Sequence, residues 1–457
     1  MNLLVKDKCF YKKMAVIAIP ISLQSMITIG VNMTDTVMVG KLGETSLSAT
    51  ALANQFVNIY QICCMGIAMG ASVLTSRFWG MQDITSLKKT ITLMLRLCIV
   101  LAVLFMLPTI LIPQLLMRMY TNDSAVIAQG VQYFKWMVYC YFLQGMTMTC
   151  TIVLRSAGQV NFPLFTSIGS FFVNILFNYM FIFGKLGVPR MEVEGAGVGT
   201  LIARVFEFSL ICGYFLFVDR KIGYRLKDLR MKCNSLIKDY VSISIPVFVS
   251  DSLLALGTSA VAMVMGRVGT GFVSANSITV VTQQLTTVII QGICHASCIM
   301  TGHTLGHGER EKAQQQAWTF LILGLVVGIL GGGLIKVLSR PIIGLYNITP
   351  ETAQIAGELM DAIAFIVIFQ SMNSILTKGV LRGGGDTKFL MVADIIFLWA
   401  ASLPLGILAG LVWHLDAFWI YVFLKIDQIC KSIWCVFRLR SGKWIKTFSK
   451  EKMNHAQ

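Results

Sequence analysis

Asp35 is the residue whose position most calls for chemistry. It lies inside TIGVNMTDTVMVG, a stretch otherwise made of apolar, amide and hydroxyl side chains. A carboxylate in such surroundings is costly unless it is neutralised, paired or hydrated. Held there, it can alternate between binding a proton and binding a cation. The plainer alternative is an acid at the outer end of a short helix, open to water. Asn174 and Asn178 stand four apart, so on a helix they share a face. Each brings a carbonyl acceptor and an amide donor. With Asp35 and Thr200 they can form a small oxygen-lined cage for sodium, whereas a proton needs only the carboxylate and its hydrogen bonds. The competing roles are helix–helix adhesion for the asparagines and a bond to its own helix for Thr200.

Other polar residues in apolar stretches are read the same way. Arg204 and Glu207 are three apart, the spacing of an intrahelical ion pair. If Glu207 instead faces a cavity, it attracts cations. Asp251 is either a second acidic site or a satisfied polar residue, and Asp394, close to Lys388, reads as interfacial. Asn58 and Gln284 occupy matching places in the two halves of the chain and suggest walls of a substrate cleft, with polar contacts inside each half as the alternative. His295, His303 and His307 lack accompanying carboxylates apart from Glu309, so no metal site is expected. No cofactor, hydrolytic acid pair or nucleophile triad is indicated, and the chain is not read as an enzyme.

The elements that must position these residues are membrane helices. Hydrophobic residues make up 56% of the 457, and charged ones 13%, about half the share of an average soluble domain. Mean hydropathy is +0.72. Twelve candidate helices run near 14–36, 48–72, 90–113, 127–152, 162–184, 196–218, 239–262, 274–298, 316–336, 355–379, 390–411 and 416–437. The twelve cysteines are scattered through apolar stretches without a Cys-x-x-Cys pair, as small buried apolar residues would be. The first apolar segment reads as a span rather than a cleavable leader. No Gly-Lys-Ser/Thr phosphate loop suggests an ATP-driven motor.

The net charge of +16 sits mostly in short polar connections. Lysine and arginine are concentrated at the start, in alternate connections such as DRKIGYRLKDLRMKCNSLIKD, and at the end. That alternation places both termini in the cytoplasm and argues for contact with membrane lipids rather than nucleic acid. The predicted organisation is a lobe over 1–218, a basic linker over 219–238, a second lobe over 239–437 and a basic tail over 438–457.

The two halves repeat. Pro20 pairs with Pro246, Gly40 with Gly266 and Gly43 with Gly269, all at an offset of 226. LRSAGQ (154–159) pairs with LRGGGD (381–386) at an offset of 227. Six spans per half give both halves the same orientation. The expected fold is therefore an all-α membrane protein of twelve helices, in two parallel six-helix repeats around a central cleft. Rocking such lobes opens the cleft to either side, which favours a transporter over a channel, receptor or membrane enzyme.

Several motifs resemble the multidrug and toxic compound extrusion transporters: Pro20 followed by Asp35 and VMVGKLG, LRSAGQVNFPLF with Asn174 and Asn178 beyond it, GAGVGT from Gly195 to Thr200, and LRGGGDTK. The resemblance implies export of bulky, often cationic, amphiphilic small molecules in exchange for protons or sodium, from a cleft between two lobes of a plasma (inner) membrane protein functional as a monomer. One branch of that family carries acids on the seventh and tenth helices. The tenth-helix place matches Asn373 here, which joins Asn58 and Gln284 as a cleft residue. The seventh-helix acid has no secure match, since Asp251 sits five residues after Pro246. The chain thus looks more like members whose cation site, with Asp35, is in the first lobe, and proton coupling is favoured slightly over sodium. A lipid-linked-precursor flippase of the wider superfamily is the alternative, and a non-transporting receptor or scaffold a third reading.

Overall fold

A backbone in hydrocarbon has no water to bond, so apolar runs of this length fold as helices. In the computed structural model, which describes residues 4–344 and 348–447, every regular element is helical. We number them α1 (Lys8–Gly40), α2 (Glu44–Gly80), α3 (Ile84–Leu111), the short α4 (Pro113–Arg118), α5 (Ser124–Ser156), α6 (Asn161–Phe183), α7 (Glu192–Val218), α8 (Asn234–Val268), α9 (Thr270–Gly306), α10 (Arg310–Ile343), α11 (Pro350–Leu381), α12 (Thr387–Val412), α13 (Ala417–Leu424) and α14 (Ile426–Arg440). Most extend beyond the runs marked from sequence, because polar residues continue the helices past their apolar centres.

The repeat is carried by the punctuation. Helices α2, α3, α5 and α6 begin at 44, 84, 124 and 161, and α9, α10, α11 and α12 at 270, 310, 350 and 387, each later by 226. Asp83 starts α3 by accepting from the Ser86 amide at 3.0 Å, and Asp123 starts α5 by accepting from the Ala125 amide at 2.9 Å. In LRSAGQ and LRGGGD the turn is made by Gly158 at φ 76° and Gly385 at φ 86°, a backbone state that favours glycine.

Among the described residues, eleven helices are long and apolar enough to cross a membrane. The expected twelfth span, 416–437, is instead broken at Lys425 into α13 and α14. Ser402 is the reason. Its hydroxyl donates to the Leu424 carbonyl at 2.9 Å and accepts from the Asp427 amide at 3.4 Å. A side chain inserted into the helical ladder takes up a carbonyl and an amide that a continuous helix would bond to groups one turn away.

The chain forms two compact units, Leu23–Ser244 and Ile245–Gln457 together with Met1–Ser22. We call them the first and second unit. The division passes through α1 and α8, not through the connection at 219–238. That connection is docked on α3 inside the first unit. Lys88 Nζ reaches Asp228 Oδ2 at 2.9 Å and the Gly223 carbonyl at 2.6 Å. Arg96 donates to the Leu229 carbonyl at 2.6 Å, and the Thr92 and Tyr224 hydroxyls lie 2.9 Å apart. The described part of the tail is docked too: Trp444 is fully buried, with Nε1 donating to Gln314 Oε1 at 2.7 Å. Residues 448–457 of the expected tail lie outside the described residues.

Candidate functional site: an acidic cavity in the first unit

Glycine lets α6 and α7 approach closely. A Cβ on Gly199 would collide with the Asn178 side chain and lie 2.9 Å from its backbone nitrogen; one on Gly195 would meet the Phe181 carbonyl. GAGVGT is thus a packing motif that presses α7 onto the face of α6 carrying Asn174 and Asn178. Both asparagines are buried. Asn178 Nδ2 donates to Asp35 Oδ1 at 2.6 Å and to Asn174 Oδ1 at 3.2 Å. The three residues expected to cooperate are therefore joined by one amide group.

Beside them lies a cavity of about 360 Å³. Asp35, Asn58, Asn174, Thr200, Arg204 and Glu207 line it. Asn178 stands behind this lining and holds Asp35 and Asn174 in place. It turns a donor toward Asp35, and its own Oδ1 has no partner among the described residues. As built, the group is a hydrogen-bonded carboxylate rather than a closed cage of oxygens. No side-chain bond joins Thr200 to the trio among the described residues. Asp35 likewise has no ion pair among them.

Arg204 and Glu207 form the pair their spacing predicts, Nη1 to Oε2 at 2.9 Å, and both side chains face the cavity. Tyr133 and Asn54 add a further polar contact on the same wall, at 3.2 Å. Tyr133 carries no distinguishing signal in the sequence, set among the aromatic residues of YFKWMVYCYF.

The second unit handles its charges differently. Asp251 is paired with Arg382 at 3.0 Å, so of its two readings the satisfied polar residue is the one found. Asp394 is buried within the second unit. It meets Lys431 Nζ at 2.9 Å and accepts from the Ser250 hydroxyl. The partner that draws it inward, Lys431, is distant in sequence, while the nearby Lys388 is not what it pairs with. Lys431 also meets Asp427 at 3.1 Å, one turn earlier on α14. Neither residue was anticipated, although a lysine and an aspartate four apart in LKIDQICKSIW were a usable signal. Asp386 is held by Arg438 at 2.6 Å and Lys446 at 3.3 Å.

The expected cleft residues divide between the two units. Asn58 lines the first unit's cavity. Gln284 is exposed on α9 of the second unit. Asn373 is buried on α11, its Nδ2 donating to Gln428 Oε1 at 2.8 Å.

Comparison with known proteins agrees with this architecture. "Probable multidrug resistance protein NorM" of Thermotoga maritima is 24% identical over 95% of this chain and 93% of its own. The fold matches that of a MATE transporter of Vibrio cholerae, VcmN, with a TM-score of 0.86 at 16% identity, covering 95% of this chain and 97% of that one. A transporter of the MOP superfamily from Pyrococcus furiosus gives 0.83 at 19% identity, over 95% and 97%. The MatE family model matches residues 20–180 and 246–429. With both repeats matched, the chain belongs to the MatE family of multidrug and toxic compound extrusion transporters, which are not enzymes.

Proposed function

We propose that the protein is a secondary active exporter of amphiphilic, often cationic, small molecules. Protons returning through the first unit drive it by alternating access at Asp35. The observation that carries this reading is the contrast between acids. Asp35 lines a polar cavity with an amide as its partner, whereas Asp251, Asp386, Asp394 and Asp427 are each closed by a lysine or arginine. A carboxylate already neutralised by a tethered cation has little to gain from a mobile one, while Asp35 can exchange a proton for a cationic substrate. The donor that Asn178 presents supports a proton over sodium, since an amide hydrogen repels a metal ion. Asn174 and Thr200 then serve as polar lining, and Asn58 as a substrate contact.

In this reading the protein lies in the plasma (inner) membrane with both termini cytoplasmic and works as a monomer. A flippase for a lipid-linked anionic precursor fits less well, because the cavity's arginine is shared with Glu207. Purified protein in proteoliposomes tests the proposal. Uphill movement of a cationic dye should follow an imposed pH gradient without sodium. A strict sodium requirement with no response to pH would reverse the choice of ion, and movement of a lipid-linked substrate alone would favour the flippase.

A further inference from the structure

The connection after α7 directs its charges two ways. It is held along one face of α3, where Lys88, Thr92 and Arg96 stand four apart. Arg96 also reaches the Met231 carbonyl at 3.1 Å. Counting back from Leu111, the last residue of α3, about 20 residues fill a hydrocarbon core, which puts Lys88 and Thr92 at the level of the headgroups. The inward side of the segment is satisfied. Asp219 accepts from the Ile222 amide at 3.0 Å and from Gln159 Nε2 at 2.9 Å. Asp228 is paired with Lys88, and the Arg225 guanidinium donates to the Leu216 carbonyl at 2.6 Å. The outward side is left open. Arg220, Lys221, Lys227, Arg230 and Lys232 are exposed, and none makes an ion pair or side-chain hydrogen bond among the described residues. Beside them stand Phe217, Val218 and Leu226, which are 72%, 60% and 61% exposed.

Docking itself does not call for these cations, as the matched stretch of the second repeat shows. At an offset of 227, Gln159 and Asp219 correspond to Asp386 and Lys446, and at 226 Lys88 corresponds to Gln314. Lys446 meets Asp386 at 3.3 Å, and Gln314 accepts from Trp444. The chain that follows each repeat thus folds back onto the same two places, and in both repeats the groups that hold it point inward. We propose that the five outward cations of the first repeat, with Leu226 among them, bind the headgroups of anionic phospholipids in the leaflet beside them. Cations at this level meet lipid phosphates, while exposed apolar side chains enter the boundary with the acyl chains. A zwitterionic headgroup offers the same phosphate but brings its own ammonium, so the anionic lipid gains more. A lipid is favoured over a soluble polyanion because the segment lies along a spanning helix and sets apolar side chains among its charges.

The test titrates the purified full chain, in a neutral detergent, with phosphatidylglycerol or phosphatidylcholine, and counts the lipids retained per chain by native mass spectrometry. Wild type should retain phosphatidylglycerol in preference. Replacing Lys221, Lys227, Arg230 and Lys232 together by Gln should lower that retention about tenfold or more, since each basic residue near an anionic surface contributes about fivefold. Phosphatidylcholine should be held as before. Lys6, Lys8, Lys12 and Lys13 are also exposed, and their joint replacement by Gln removes the same charge elsewhere; phosphatidylglycerol should then stay near the wild-type level. Leu226→Gln should lower phosphatidylglycerol retention with no change of charge. Equal loss in the two fourfold variants would make the attraction a matter of net charge, and loss in neither would leave the segment without a part in it; either overturns the proposal. Displacement of the lipid by excess inorganic phosphate, with Leu226→Gln unchanged, would mean a soluble phosphate site and overturn it too. Should the fourfold variant of the segment fail to fold, Lys227→Gln with Arg230→Gln decides by the same comparison.

Discussion

Replacing Asp35 by asparagine keeps the side-chain shape and removes the group that can ionise. In the structure the Asn178 amide donates to Asp35 at 2.6 Å. A hydrogen bond to a charged acceptor contributes about 1.5–3 kcal/mol, against about 0.5–1.5 kcal/mol for a neutral pair. Ionisation of Asp35 therefore changes the tie between α1 and α6 by ~1–2 kcal/mol, which moves a two-state equilibrium by a factor of about 5–30. That is the bias an ion gradient can work through at this site. Asp35→Asn fixes the bond near its neutral value, so uphill export should fall to the level of passive leak. Substrate exchange down its own gradient should persist, because the cavity lining is otherwise intact. Folding should be retained, with the unfolding midpoint within about 2–4 °C of wild type. Proteoliposomes under an imposed pH gradient, normalised to folded protein, give the uphill rate, and counterflow gives the exchange rate. Uphill export at near wild-type rates by Asp35→Asn would refute the reasoning.

Three further outcomes are expected. Gly199→Ala should destabilise the first unit by about 1–3 kcal/mol, the range for overpacked sites, since its Cβ meets Asn178; thermal unfolding checks this, and the same variant should lose export by displacing the asparagine from Asp35. Lys431→Met should cost about 3–5 kcal/mol, because it leaves Asp394 and Asp427 without their shared cation; unchanged unfolding in denaturant would contradict that ledger of charges. Burial alone would push the Asp228 carboxyl up, but Lys88 and the Arg225 amide outweigh it and hold it below its ordinary value. A depressed folded value adds stability above the unfolded pKa of about 4 and gives it up as pH falls through the folded value. Docking of the 219–231 segment should thus be firm near neutrality and loosen in acid, at a higher pH when Lys88 is replaced by Met; cysteine accessibility at Lys227→Cys follows it.

Much of this arrangement is legible from residue types and spacing. Apolar runs and their glycine and aspartate punctuation locate the helices, and the offset of 226 between matching residues is the same offset that separates helix starts. Asp35, Asn174 and Asn178 are recognisable because polar groups in a membrane segment are costly, and a four-residue spacing fixes their shared face. What is illegible depends on partners far along the chain. The break at Lys425 is caused by Ser402, and nothing near Lys425 announces it. Asp394 stands near Lys388 in sequence, yet its cation is Lys431. The compact units divide inside α1 and α8, because helix ends join whichever core they pack against, and a basic connection such as 219–238 can dock as firmly as a helix.

The two repeats share a frame and distribute their charge differently within it. At the common offset of 226, Asp35 corresponds to Val261, Asn174 to Ala400, and Asn178 to Pro404. In the other direction, Asp251 corresponds to Ser25 and Asp394 to Ile168. One charge is common: Arg155 of LRSAGQ and Arg382 of LRGGGD are matched residues, and each is held by the first helix of its half. Arg155 donates to Gln24 Oε1, a neutral acceptor, while Arg382 donates to the carboxylate of Asp251. The second repeat thus spends its acid on the structural arginine. The first uses a glutamine for that task and carries its acid eleven residues later on the same helix, against a polar cavity. An ion gradient can act on a conformational equilibrium only where protonation differs between states. Asp251 is already closed by a tethered guanidinium and Asp35 is not, so the asymmetry between them favours the proposed coupling through the first unit. Exchanging the two arrangements tests this directly: Gln24→Glu should pair with Arg155 and stabilise the first unit without creating a second coupling site, leaving the proton dependence of export unchanged.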